Sequence, residues 1–128
     1  MSKAPDVAKA RALIEAGQKE MAYLLSLKAT EEGASTIVSR VYECFHKLGQ
    51  ALLLKECKTG NHEDRINTLI TLPVTVSRPT RALDWLRKVR QNINYNGYQA
   101  STDDLAESLS LAKTFWTPLL TEVKKKIQ

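Results

Sequence analysis

The stretch Leu83-Asp84-Trp85-Leu86-Arg87-Lys88-Val89-Arg90-Gln91-Asn92-Ile93-Asn94-Tyr95-Asn96-Gly97-Tyr98 decides how the fold is read. Wound at about 100° per residue, it gathers Leu83, Leu86, Val89 and Ile93 on one arc. That spacing is helical, not the alternation of a strand. Gly97 fits the left-handed residue that closes a helix, with Tyr95 and Tyr98 close by. Arg90 falls inside the apolar arc, between Leu86 and Ile93. A permanent cation there needs a partner, or must carry its head along the apolar surface to water or to a ligand. Asp84, the nearest acid in sequence, lies on another face of the helix, so no partner is offered locally. Arg90 is therefore expected to be unpaired within one bundle, with Arg87 and Lys88 adding positive potential beside it.

The same period runs outward on both sides. A first helix is expected from near Pro5, with Val7, Ala10, Ile14, Gly17, Met21 and Leu24 on one face. Residues 28–33 connect it to the next, with Thr30 offered as the cap. A second helix is expected over 34–57, striped by Ile37, Val41, Cys44, Leu48 and Leu52 and widened by Phe45 and Ala51. Glu43 and Lys47 stand on its polar side, as does His46. Lys58-Thr59-Gly60-Asn61 is the stop, with Gly60 as the break. A short third helix follows over 62–72, capped by Asn61 with Asp64 three residues on, and ended by Pro73. Residues 74–79 read as an extended loop, because one short strand would have no partner. The last helix starts at Ser101-Thr102-Asp103-Asp104, a capping box with Asp in place of Glu. Leu105, Leu109, Ala112, Trp116, Leu119, Val123 and Ile127 form its stripe, and Pro118 is expected to kink or loosen one turn. The expected fold is all-α: one domain, an antiparallel up-and-down bundle of about five helices, four of them long.

Composition agrees. A chain of 128 residues with 43% apolar residues fits one globular domain. No apolar run approaches the ~18 residues of a membrane span, and the N-terminal residues do not resemble a signal-peptide core. Cys44 and Cys57 form no paired motif, so free thiols and a cytoplasmic setting are expected. The net charge of +5 is uneven: Arg78, Arg81, Arg87, Lys88 and Arg90 crowd residues 78–90 against Asp84 alone, and Lys124, Lys125 and Lys126 add a basic tail. Such a cluster attracts phosphate without reading sequence; it also describes a solvated face with lysines at a helix C-terminus.

Several chemistries can be set aside. Ser110-Leu111-Ala112-Lys113 and Lys58-Thr59-Gly60 match two short hydrolase motifs, but in reversed order and in too short a chain. The acidic pairs Glu31-Glu32, Glu63-Asp64 and Asp103-Asp104 sit at helix starts, where the helix dipole explains them. His46 and His62 lack metal-ligand spacing to another His or Cys, and no glycine-rich phosphate loop or other cofactor motif is present.

Residues 39–55, the run Leu86-Arg87-Lys88-Val89-Arg90-Gln91-Asn92-Ile93-Asn94-Tyr95, and the helix from Ser101 to Ile127 resemble, in order and layout, the HEPN family (higher eukaryote and prokaryote nucleotide-binding domains). The resemblance implies a helical bundle that dimerises and carries an arginine, then a histidine four to six residues on. Active members are metal-independent ribonucleases, many of them toxins paired with a nucleotidyltransferase antitoxin; others bind nucleotides or nucleic acid without cutting. Arg90 matches the arginine. The histidine is missing: Tyr95, Asn96 and Gly97 stand there.

That departure favours binding over cutting. A general base for RNA cleavage needs to accept a proton near neutrality; a histidine has a pKa of about 6.5, a tyrosine about 10. Tyr95 can donate to phosphate or stack on a base, and Arg90 can clamp a phosphate with two nitrogens. The first expectation is a non-catalytic HEPN-like module that binds RNA or nucleotide phosphate through Arg90, Arg87, Lys88, Asn94, Tyr95 and Tyr98, works as a homodimer and pairs with a nucleotidyltransferase. The second is a ribonuclease toxin built on Arg90 and Tyr95, with His46 or His62 supplying the base. The third is a helical adaptor whose basic face is incidental.

Overall fold

The computed structural model describes residues 6–28, 30–58 and 60–127, and among these every regular element is helical. Five α-helices appear: α1 (Val7–Ser26), α2 (Ala34–Lys55), α3 (His62–Ile70), α4 (Leu83–Asn96) and α5 (Thr102–Ile127). Two 3-10 turns, Glu31–Gly33 and Thr80–Ala82, lead into α2 and α4. No strand forms in residues 74–79. None of the described helices is long and apolar enough to cross a membrane.

Residue contacts fix the directions. Gly17 faces Cys44 and Lys47, while Glu20 pairs with Arg40, so α1 and α2 are antiparallel. Ser35 bonds the Ala100 amide and Phe45 meets Trp116 edge-on, so α5 runs alongside α2 in the same sense. The fold is thus an up-and-down bundle of four longer helices, with short α3 laid against α2 and α4. Helix α2 is the central rod. It contacts all four other helices, which explains why it is buried on nearly every side.

The expected stripes form the core. Ala10, Ile14, Gly17, Met21 and Leu24 are buried on α1; Leu83, Leu86 and Val89 on α4. On α5, six of the seven stripe residues are buried and Leu109 is packed at the margin. Pro118 lies inside α5 without ending it. Neighbouring positions that the stripes left out, such as Tyr42 on α2 and Leu111 and Phe115 on α5, are also fully buried, because the buried arc of each helix is wider than a single stripe.

Helix ends follow local chemistry, with some corrections. Asp6 caps α1 by accepting from Lys9 N at 2.9 Å; Pro5, the expected first-turn residue, lies outside the described residues. Thr30 does not cap α2. The chain enters through the 3-10 turn, Gly33 holds the cap position, and no side chain bonds there. Helix α2 stops at Lys55, two residues early, because Cys57 turns left-handed (φ 63°). Lys58 N then donates to Leu53 O at 2.7 Å and Cys57 N to Leu54 O at 3.1 Å, the paired bonds of a Schellman end. Gly60 (φ 62°) is left-handed too, three residues later; Thr59 lies outside the described residues. Helix α3 also ends two residues early, at Ile70, before Pro73 can act. Gly97 (φ 68°) closes α4 as expected.

Both predicted capping boxes are present. Asn61 Oδ1 accepts from Asp64 N, and Asp64 Oδ2 from Asn61 N, each at 2.9 Å. Ser101 and Asp104 exchange the same bonds at 3.0 Å. Helix α3 has only nine residues, so it depends on its cap more than α5 does. Asn61→Ala is expected to cost about 1 kcal/mol of stability, read as a lowered urea midpoint with unchanged slope. An unchanged midpoint would show that tertiary packing alone sets where α3 begins. Cys44 and Cys57 are free thiols; burial, ahead of the nearby charges, pushes the Cys44 thiol up to about 12.

Candidate nucleic-acid or nucleotide site

Three helices bring the site together. From α2 come Tyr42, Glu43 and His46, with His46 one turn on from each of the other two. The first turns of α3 supply His62 and Arg65; α4 supplies Arg87, Arg90, Gln91 and Tyr95. A cavity of about 290 Å³ opens between them, lined by Tyr42, Asn61, His62, Glu63, Arg87, Arg90, Gln91 and Tyr95.

Arg90 has an internal partner, contrary to the sequence expectation. Its Nη2 lies 3.0 Å from Glu43 Oε1, and its guanidinium carbon sits 5.4 Å from the centre of the Tyr42 ring. The partner comes from another helix, which is why a search along α4 could not find it. Asn94, with its amide oxygen turned toward the guanidinium, accepts from Arg90 Nε and Nη2 at 3.1 and 3.2 Å. Arg87 and Lys88 are not loose charges either. Both hold Asp84, at 2.8 and 3.3 Å. The Arg87 hydrogen bond keeps the Asp84 carboxyl below the usual carboxylate range, and Asp84 in turn raises Arg87.

His46 is also corrected. It is buried, not on a solvated face, because α3 and α4 cover that side of α2. Its ring stacks on His62 with centroids 4.2 Å apart. Arg65 Nη1 lies 2.8 Å from His46 Nε2, and His46 Nδ1 lies 3.7 Å from Glu43 Oε2. Tyr42 Oη is 2.7 Å from His62 Nδ1. Burial first, then the His62, Arg65 and Arg90 charges, hold His46 down to about 3; burial and Arg90 likewise lower His62. Both imidazoles are therefore neutral at pH 7.

The donors fix the tautomers. A guanidinium can only donate, so His46 Nε2 is the lone pair and its proton rides on Nδ1, toward Glu43. Burial and Glu43 raise the Tyr42 phenol, so it keeps its proton. Among the described residues that hydroxyl has one hydrogen-bond partner, His62 Nδ1, and a buried hydroxyl left without an acceptor is costly. Tyr42 therefore donates to His62 Nδ1. The His62 proton is then on Nε2, leaving an N–H as that ring's remaining polar atom beside the cavity.

Of the residues expected at the site, Arg87, Arg90 and Tyr95 line one cavity, and Asn94 touches Arg90. Tyr95 is 72% exposed, an open aromatic face at the rim. Lys88 lies on the same helix, bound to Asp84 outside the lining. Tyr98 goes elsewhere: it lines a separate groove with Ser35, Gly97 and Ser101, and its hydroxyl donates to Asp104. The turn at Gly97 carries it past the end of α4, away from Arg90. Tyr42, Glu43, His62 and Arg65 were not anticipated as one cluster. The signal was there in Tyr42, His46 and Gly49, spaced four and three apart on α2: two ring-bearing polar residues, then a glycine that admits another backbone.

Comparison with protein-family models, with curated proteins and with solved structures returns no match.

Proposed function

We propose that the chain is a non-catalytic binding module for a phosphate-bearing ligand, nucleotide or RNA, of the kind its HEPN-like sequence pattern implies. The observation that carries this reading is the set of residues around one cavity: Arg87, Arg90 and His62, with the Tyr95 ring open at the rim. Guanidinium and N–H donors suit phosphate oxygens, and an exposed ring suits a base. The site's hydrogen bonds weigh against the ribonuclease alternative. Cutting needs a proton acceptor. His62 offers a proton instead, and its acceptor nitrogen is occupied by Tyr42. His46 lies buried with both nitrogens directed at Arg65 and Glu43. A purely structural adaptor accounts for the ion pairs but gives no reason for an exposed aromatic ring beside two guanidinium groups. The homodimer, the nucleotidyltransferase partner and the cytoplasmic setting enter this proposal through the family resemblance and the sequence reading; the Glu43–Arg90 pair removes the argument from an unpaired arginine.

Arg90→Ala tests the reading. Losing a charge-assisted contact typically costs ~1.5–3 kcal/mol, so affinity for AMP or a 5′-phosphorylated oligoribonucleotide should fall roughly 10- to 150-fold at fixed salt. Stability should fall by only about 1 kcal/mol, since Glu43 is 35% exposed and can turn to water. Titration and thermal unfolding on one preparation separate the two. Equal affinity per folded molecule in wild type and variant would make Arg90 a structural brace.

A further inference from the structure

The cavity's two arginines already hold carboxylates, and they hold them differently. Asp84 accepts from both Arg87 and Lys88, at 2.8 and 3.3 Å, all within one helix. Glu43 reaches across from α2 to a single nitrogen of Arg90 at 3.0 Å, and its side chain is 35% exposed. Of the two carboxylates, Glu43 is the one a ligand can displace: it has one strong contact and open water to turn into.

The exchange has a charge requirement. An internal phosphodiester brings one negative charge, the same as the carboxylate it would evict. It offers two free oxygens, so the swap at Arg90 gains little. A terminal phosphate monoester has a second pKa near 6 and at pH 7.5 is mostly dianionic with three free oxygens. It can take the Glu43 place on Arg90 while a further oxygen meets the His62 Nε2–H or Arg87 beside the same cavity. From this geometry we infer that Glu43 is a built-in competitor on Arg90 that weakens every ligand by one common factor, so that the cleft holds terminal phosphate monoesters, with their extra charge and oxygen, while phosphodiesters fall below useful affinity. The ligand class is then a nucleoside monophosphate or a phosphorylated RNA end, not the interior of a strand. The inference rests on the binding role proposed above for Arg90.

The test compares AMP with its phosphate methyl ester, which differ by one esterified oxygen and one charge, by calorimetry at pH 7.5 and fixed salt. Wild-type protein is expected to bind AMP about tenfold or more tighter than the methyl ester. Glu43→Gln removes the competing charge but keeps the side-chain shape. It is expected to bind both ligands several-fold tighter, by about the same factor, leaving their ratio unchanged and bringing the ester into measurable range. A wild-type ratio near one would overturn the inference without touching the role of Arg90, and that comparison needs no variant. Affinities unchanged in folded Glu43→Gln would also overturn it, showing that Glu43 does not compete for Arg90. If neither ligand binds either protein, the binding role itself fails, and the inference with it.

Discussion

Gly49→Ala should destabilise the protein by about 2–3 kcal/mol, although alanine is the better helix former. Gly49 lies inside α2 and is buried where α3 crosses. A Cβ added there would sit 2.1 Å from the Arg65 carbonyl oxygen and 2.7 Å from its carbon. Those are backbone atoms, so no rotamer change relieves the clash; α3 must move bodily by more than an ångström. Overpacking typically costs roughly 1–3 kcal/mol; a backbone clash this close lies at or beyond the top of that range, about 3–4 kcal/mol, against about 1 kcal/mol gained from helix propensity. For a chain of this size the melting temperature should drop by about 10 °C. The damage would reach the site, because α3 carries both His62 and Arg65. The Arg65–His46 bond and the imidazole stack should loosen, raising the His46 pKa in an NMR titration. Gly17→Ala is the control. Its added Cβ would meet Trp116 at 3.4 Å and the Cys44 carbonyl at 3.5 Å, ordinary contact distances, so stability should change little. Equal melting temperatures for the two variants would show that α3 yields freely and that the close approach is unimportant.

The contrast between these glycines marks how far sequence reading reaches. Both stand on helices, and period alone placed Gly17 on the α1 face correctly. Period also found the core of α4 and most of α5, because an apolar stripe is a local property of one helix. Capping boxes were legible for the same reason: Asn61 with Asp64, and Ser101 with Asp104, act within four residues. What failed was whatever depended on a second element. Thr30 looked like a cap, but the preceding 3-10 turn set the entry to α2. Arg90 looked unpaired because its partner, Glu43, lies 47 residues earlier in the chain. His46 looked solvated because a single-face reading of α2 does not anticipate a helix covered by four neighbours. Tyr98 follows α4 closely in sequence, yet past the left-handed turn at Gly97 it lines a separate groove. The candidate site is thus half visible in sequence: α4 supplies its arginines and Tyr95 openly, while α2 supplies Glu43, which pairs with Arg90, and α3 supplies His62, which lines the same cavity.

Those hidden groups carry the largest pH effect expected of the fold. His46 is held down to about 3 in the folded protein and titrates near 6.5 when unfolded. Between those values the unfolded chain binds the proton that the folded chain refuses. Stability therefore has its full value above about pH 6.5 and is lost as pH falls toward the folded value. At pH 4.5 the loss from this one group is on the order of 2–3 kcal/mol. His62, also lowered by burial and Arg90, adds in the same direction. The physical cause is burial and then crowding: a charged His46 would face Arg65 at 2.8 Å, with His62 stacked on it and Arg90 and Lys47 nearby, and the Glu43 carboxylate at 3.7 Å does not offset them. Asp84 and Asp104, whose carboxyls sit below their ordinary range, also destabilise the fold when protonated, but only at more acidic pH. The window from pH 6.5 to 4.5 thus belongs to the two imidazoles. Urea unfolding at pH 7.5, 6.0 and 4.5 should show the drop in wild type. His46→Gln, which leaves Arg65 an acceptor and cannot titrate, should be less stable at pH 7.5 but lose much less between pH 7.5 and 4.5. Parallel losses in the two proteins would mean that the buried stack does not hold His46 neutral, and the tautomers assigned to the cleft would lose their basis.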